Sequence, residues 1–226
     1  MAITFWPSLP KKMASSSLLL LLPLLLPSVS SHGRLTSPPS RASMWRYGFN
    51  TPVDYDDTQG WCGGFQRQWE VNGGRCGVCG DPWDEEVREH EAPGGRYATG
   101  TLAATYTAGQ RVNVSVEVTA NHRGHFTFAL CPASGEGDPS QECLDLHPLP
   151  TASGSTVWPL PSSAVGIYSV EVVLPPHSCP HCFLQWTYTA ANNWGVCQDG
   201  SGALGCGPQE TFRACADISI LKEQEQ

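Results

Sequence analysis

Two histidines stand out by position. His32 follows a leucine run and a small-residue stretch in LPSVSSHGRL, so a cut between Ser31 and His32 would make it the first residue of a mature chain. A histidine in that place offers two donors, its α-amine and a ring nitrogen, which together close a chelate on one metal ion. His122, at the end of RVNVSVEVTANH, adds a second imidazole. Three nitrogens in a T suit Cu(II), which favours tetragonal nitrogen fields and heads the divalent affinity order. The amine's pKa of about 7.7–8.0 lets copper displace its proton at modest cost. Of the other five histidines, His125 opens a strand-like stretch, as a surface residue or a substrate neighbour. His90, His147, His177 and His181 sit in polar or proline-flanked segments and are expected in solvent.

The cut follows from an export signal. Lys11 and Lys12 precede the apolar run Leu18–Leu26, which is too short to span a bilayer, and Val29 and Ser31 put small side chains at the positions signal peptidase reads. Residues 1–31 are therefore the expected signal and 32–226 one secreted domain. Thirteen basic against twenty-one acidic residues give a formal charge of −8. Losing the two lysines makes the mature chain more acidic, which argues against nucleic acid or an anionic membrane as partner.

Ten cysteines, Cys62, Cys76, Cys79, Cys131, Cys143, Cys179, Cys182, Cys197, Cys206 and Cys215, all lie after residue 31. An even number in an oxidising compartment predicts up to five disulfides, of pairing unreadable from sequence. Cys76-Gly-Val-Cys79 invites a zinc reading, but about a hundred residues separate it from the next such pair. Cys179-Pro-His-Cys182 looks like the dithiol of thiol oxidants, yet that chemistry needs a helix N-terminus, and Phe183–Tyr188 reads as a strand. Asn113-Val-Ser is a glycosylation sequon.

The elements that must position these residues fall into two regions. From His32 to about Tyr97 the chain is irregular and rich in Gly, Pro, Trp and Cys, with DPWDEEVREHE (81–91) a candidate short helix capped by Asp81. After residue 98 the apolar period becomes two: Val112, Val114, Val116 and Val118 alternate with polar residues, and HFTFALC, IYSVEVVL, CFLQWTYTA and TFRACADISI repeat the pattern. These strands predict an all-β fold, an immunoglobulin- or fibronectin-III-like antiparallel β-sandwich with long disulfide-pinned loops and short helices.

Six blocks, HGRLTSPPSRASMWRYGFNTP, WCGGFQRQW, NGGRCGVCGDPWD, TANHRGHFTFALCP, YTAANNWGVCQDG and GALGCGPQETFRACADISI, taken in this order, make the mature chain resemble the lytic polysaccharide monooxygenases, most closely auxiliary activity family 15. The resemblance implies that His32 and His122 form the copper brace. Ala120 shapes access to the open axial side, and Phe212 closes the opposite one without a ligand oxygen. Gln209 or Glu210 would handle protons and oxygen species, while Asp217, at a spacing shared with related enzymes, suits a structural hydrogen bond better than direct chemistry. One ion cycling between Cu(II) and Cu(I), an external electron donor, and H2O2 or O2 would oxidise C1 or C4 of insoluble chitin or cellulose. The enzyme would work as a monomer outside the cell. Tyr47, Tyr55 and Trp61 are candidate sugar contacts on the flat face such a substrate needs. The rival reading is a non-catalytic polysaccharide-binding or copper-carrying protein on the same scaffold.

Overall fold

A computed structural model describes residues 1–2, 32–133 and 137–222. The expected signal, residues 3–31 of it, and Ser31 lie outside the described residues.

Among the described residues the chain forms ten strands: β1 His32–Ser37, β2 Ala104–Thr107, β3 Arg111–Ala120, β4 His125–Pro132, β5 Val157–Pro159, β6 Gly166–Val173, β7 Cys179–Thr189, β8 Trp194–Val196, β9 Gly202–Leu204 and β10 Thr211–Leu221. A three-stranded sheet in the order β1-β3-β6 packs on a five-stranded sheet in the order β2-β10-β7-β4-β5, and β8 and β9 make a separate hairpin. Pairing is antiparallel except between β2 and β10, which run parallel. The only regular α-helix among the described residues is α1, Gln141–Leu146, capped by the Ser140 side chain. The expected sandwich is thus observed.

Alternation fixes the registers that matter. Val112, Val114, Val116 and Val118 of β3 are buried between the sheets with Leu35, Val170, Phe128, Trp186 and Phe212. A one-residue slip would turn all four valines outward, at about 1.5–3 kcal/mol each. The end of β3, and with it the turn carrying His122, is therefore held firmly in place.

β7 and β10 are buried on both faces. Phe212, Ala214, Ala216, Ile218 and Ile220 face the sandwich interior, while Cys215 joins Phe183, Val78, Cys79 and Leu144 in a second cluster on the outer side. The irregular segment 38–100 lies over that outer side, tied down by the Cys79–Cys215 disulfide. The other bridges are Cys62–Cys76, Cys131–Cys143, Cys179–Cys182 and Cys197–Cys206, which leaves no free thiol.

Several sequence expectations change here. HGRLTS, read as part of the irregular region, is strand β1, because Leu35 buries against the core and every second residue faces out. The segment 81–91 is a run of turns, not a helix. Its would-be cap, Asp81, instead accepts hydrogen bonds from the His90 backbone N–H at 2.9 Å and meets the His90 ring at 2.8 Å. Cys76 and Cys79 go to different partners, which removes the zinc reading. Cys179 and Cys182 do bond each other, but on strand β7 and buried, with no helix N-terminus to activate a thiolate.

Candidate metal centre

His32 begins β1 and sits opposite Ala120 in the β1–β3 ladder. The register then shifts between His32 and Gly33, and the Gly33 N–H donates to Thr58 O at 3.3 Å. Position 33 is a close approach, where a Cβ would lie 3.1 Å from Glu117 O and 3.2 Å from the Trp186 ring, tight for any side chain.

His122 lies two residues past Ala120, in a turn built by its neighbours. Asn121 Oδ1 accepts the Arg123 N–H at 2.7 Å, an Asx turn, and Asn121 Nδ2 donates to Ala164 O at 2.6 Å. Arg123 and Gly124 have φ of 58° and 88°. A Cβ on Gly124 would collide with Thr189 O at 1.9 Å, so only glycine closes this turn. On the far side, the His122 N–H donates to the Tyr188 hydroxyl at 3.0 Å and its carbonyl accepts from Ala191 N–H at 3.1 Å. Tyr188 was not singled out from the sequence, and its only signal there was its place in the alternation of β7.

The two imidazoles are close enough to influence one another. Burial lowers the pKa of His122, and the charge of His32 lowers it further. Both effects favour the neutral ring, the form that binds metal. The fully buried Phe212 ring lies 6.3 Å from the His32 ring at 49° and stacks on Tyr188 at 5.7 Å. His32, His122, Ala120 and Phe212 are thus brought together at one end of the sandwich. The donor set fits copper: two imidazoles, a backbone nitrogen that cleavage would turn into an amine, and an apolar ring offering no oxygen.

The remaining candidates separate. Gln209 is buried, and its side chain ties a loop: Oε1 accepts from Asn193 N–H, while Nε2 donates to Asn193 O at 3.0 Å and Cys206 O at 2.7 Å. Glu210 is buried two residues before Phe212 and continues the β7–β10 ladder by accepting the Ala190 N–H at 3.0 Å. Asp217 stands away from the histidine pair. An odd step from Phe212 puts it on the other face of β10, roughly 16 Å along the strand, where it accepts from Arg41 Nε at 2.7 Å and Nη2 at 2.8 Å and meets His181 Nε2 at 2.9 Å.

Tyr55 is exposed at 80% and Tyr47 at 48%, both on the loop that leads to Thr58, whereas Trp61 packs half-buried against the main core. A more prominent aromatic is Trp194 on the β8–β9 hairpin, which the sequence reading passed over. It is 69% exposed, with Val196 and Leu204 beside it on the same face. Its indole lies over Gly202, where a Cβ would come within 2.8 Å of the ring. The hairpin is closed by Cys197–Cys206 and joined to the site through Gln209 and the Ala191–His122 bond. Asn113 is exposed on the outer face of β3, accessible to modification.

Of the other histidines, His147 and His177 are exposed, as expected. His125 is half-buried at the start of β4, its pKa lowered by burial. His90, expected in solvent, lies between Asp81 and Asp54, the latter 3.0 Å from Nε2, and stacks on Tyr97. His147 approaches Cys131 and Cys143, but their sulfurs are joined in a disulfide and offer no thiolate to a metal. An apolar groove of about 490 Å³, lined by residues such as Leu130, Pro148, Val173 and Cys179, opens at the opposite end of the sandwich from the histidine pair.

The family model for lytic polysaccharide mono-oxygenases, described as cellulose-degrading, matches residues 32–218. Among solved structures, the chain is similar to an AA15 lytic polysaccharide monooxygenase from Thermobia domestica in the Cu(I) state. Identity is 41% over 84% of this chain and 98% of that one, with a TM-score of 0.79. A chitin-binding domain from Burkholderia pseudomallei is similar at 12% identity, covering 85% of this chain and 100% of that one, with a TM-score of 0.48. No curated protein matches the chain.

Proposed function

The chain belongs to the lytic polysaccharide monooxygenases, copper-dependent enzymes that cleave polysaccharides oxidatively, and we propose that it is exported, cut at Ser31–His32, and acts on insoluble chitin or cellulose through copper held by His32 and His122. The observation that carries this reading is the meeting of the two histidines at one end of the sandwich with Phe212 behind them. The family match also begins at His32.

Cleavage changes what His32 is. Before it, the His32 nitrogen is an amide whose lone pair is delocalised into the carbonyl; afterwards it is an amine and a donor. His122 supplies the third nitrogen, kept neutral by burial and by the neighbouring His32. Phe212 excludes water from one side of the site and contributes no oxygen ligand. Ala120, across the ladder from His32, leaves the opposite side uncrowded. Copper bound there supplies the redox chemistry that oxidises C1 or C4 beside the glycosidic linkage, drawing on an external electron donor and H2O2 or O2. Glu210, buried two residues before Phe212, is the carboxyl we assign to hold or pass a proton. Gln209 shapes the loop instead. Trp194, Val196 and Leu204 offer an apolar blade on which a sugar face can rest, with Tyr47 and Tyr55 as further contacts from the N-terminal loops.

The test uses mature, copper-loaded protein with a reductant on chitin and on cellulose, followed by mass spectrometry. Oxidised oligosaccharides from either polymer are expected. A protein that retains Ser31 ahead of His32 should bind copper weakly and release none. Equal product from both forms would refute the role of the freed amine.

A further inference from the structure

β1 is the edge strand of its sheet and pairs only with β3. Its first residue is the proposed ligand, and strand ends fray unless tied down. The ladder register breaks directly after His32. Beside the ladder, the Gly33 N–H donates to Thr58 O at 3.3 Å and the Thr119 hydroxyl to His32 O at 3.4 Å, both long.

The strong tie is one step further in. Arg34 stands opposite Glu117 in the β1–β3 ladder, on the outward face. Its Nε and Nη2 donate to Glu117 Oε2 on β3 at 3.1 and 2.8 Å, and its Nη1 donates to Asp57 Oδ1 at 2.9 Å. Asp57 is almost fully buried and also receives Arg46. The guanidinium thus bolts β1 to two separate elements: the neighbouring strand, and the loop whose Thr58 carbonyl takes the Gly33 N–H. A planar fork suits this two-sided demand, where a lysine could satisfy only one carboxylate well.

We propose that Arg34, held between Glu117 and Asp57, is the positioning residue of the mature N-terminus, fixing β1 so that the amine and ring of His32 are already placed opposite His122. The proposal rests on the reading of His32 and His122 as the copper ligands. Arg34 touches neither metal nor substrate. It acts by sparing the first residue the ordering it would otherwise undergo on binding metal.

The test compares mature wild type with Arg34→Met, which keeps an unbranched stem but loses the fork, with Arg34→Lys, and with Glu117→Gln, a half-exposed position whose change leaves the buried Asp57 paired. Three readouts are taken: Cu(II) affinity by calorimetry, the Cu(II) EPR spectrum, and amide hydrogen exchange of Leu35 in metal-free protein. Arg34→Met should lose about 10–100-fold in Cu(II) affinity, the range expected for groups that orient metal ligands. Its EPR spectrum should alter, and Leu35 should exchange at least about tenfold faster, as expected for a freed strand end. Arg34→Lys should fall between the two, and Glu117→Gln should move in the same direction by less. If Arg34→Met fails to fold, Glu117→Gln carries the same comparison. Copper affinity within twofold of wild type, a superimposable spectrum and unchanged exchange would overturn the proposal. Weak Cu(II) binding by wild type would instead overturn the ligand reading, and the exchange data on metal-free protein would still decide whether Arg34 holds the N-terminus.

Discussion

Raising the pH should loosen the N-terminal loops through His90. Burial alone would push its pKa down, but hydrogen bonds to Asp54 and Asp81 and the charges of both carboxylates outweigh that and raise it from 6.5 to about 9. The imidazolium joins the Trp45–Asp57 loop, which carries Asp54, to the 76–91 segment, which carries Asp81, and the His90 backbone carbonyl accepts from Arg41 Nη1 at 2.9 Å. Because the folded pKa lies above the unfolded one, the folded protein holds the proton longer. The stabilisation is complete below about pH 6.5 and is lost as pH rises through about 9. A shift of that size corresponds to about 3 kcal/mol, and the side chain is only 20% exposed, so little is lost to screening. In a domain of this size that is roughly 6–12 °C in melting temperature. The assay is thermal or urea unfolding of wild type and His90→Gln at steps from pH 6 to 10. The variant should be about 3 kcal/mol less stable at pH 6. Across the window wild type should lose stability faster than the variant, by up to about 1.4 kcal/mol per pH unit, and the two should converge by pH 10. Parallel profiles over the whole range would refute the idea that a charged His90 bridges these loops.

Gln209→Ala removes three hydrogen bonds that hold the Asn193–Cys206 loop and leaves their backbone partners exposed to a cavity; a loss of about 2–3 kcal/mol by urea unfolding is expected, and a loss below about 0.5 kcal/mol would contradict the tie described. Trp194→Ala should weaken binding to chitin or cellulose roughly tenfold, about 1.4 kcal/mol for a stacking ring of this exposure, with Cu(II) affinity unchanged. Pull-down isotherms paired with calorimetry measure both, and polymer binding equal to wild type would remove the hairpin from the substrate face.

What the sequence determined by itself is local. The period-two valines of β3 and the apolar alternations of β4, β6, β7 and β10 each specify a strand with one face inward, because the pleat sends successive side chains to opposite sides. Ten cysteines after a leucine-rich start specify disulfides, and His32 and His122 stand out because their residue types and positions suit one metal. Tertiary structure alone decided which elements meet. Cys79 finds Cys215 because the irregular segment lies over the outer face of β10, a contact with no local signal. Asp217 is turned from the histidines by strand parity and held by Arg41, far away in sequence. The outward-facing Arg34 gave no sign that two carboxylates, one on β3 and one on a loop, converge on it. A charge, a cysteine or an aromatic ring acquires its role from neighbours that the chain supplies only once it has folded back on itself.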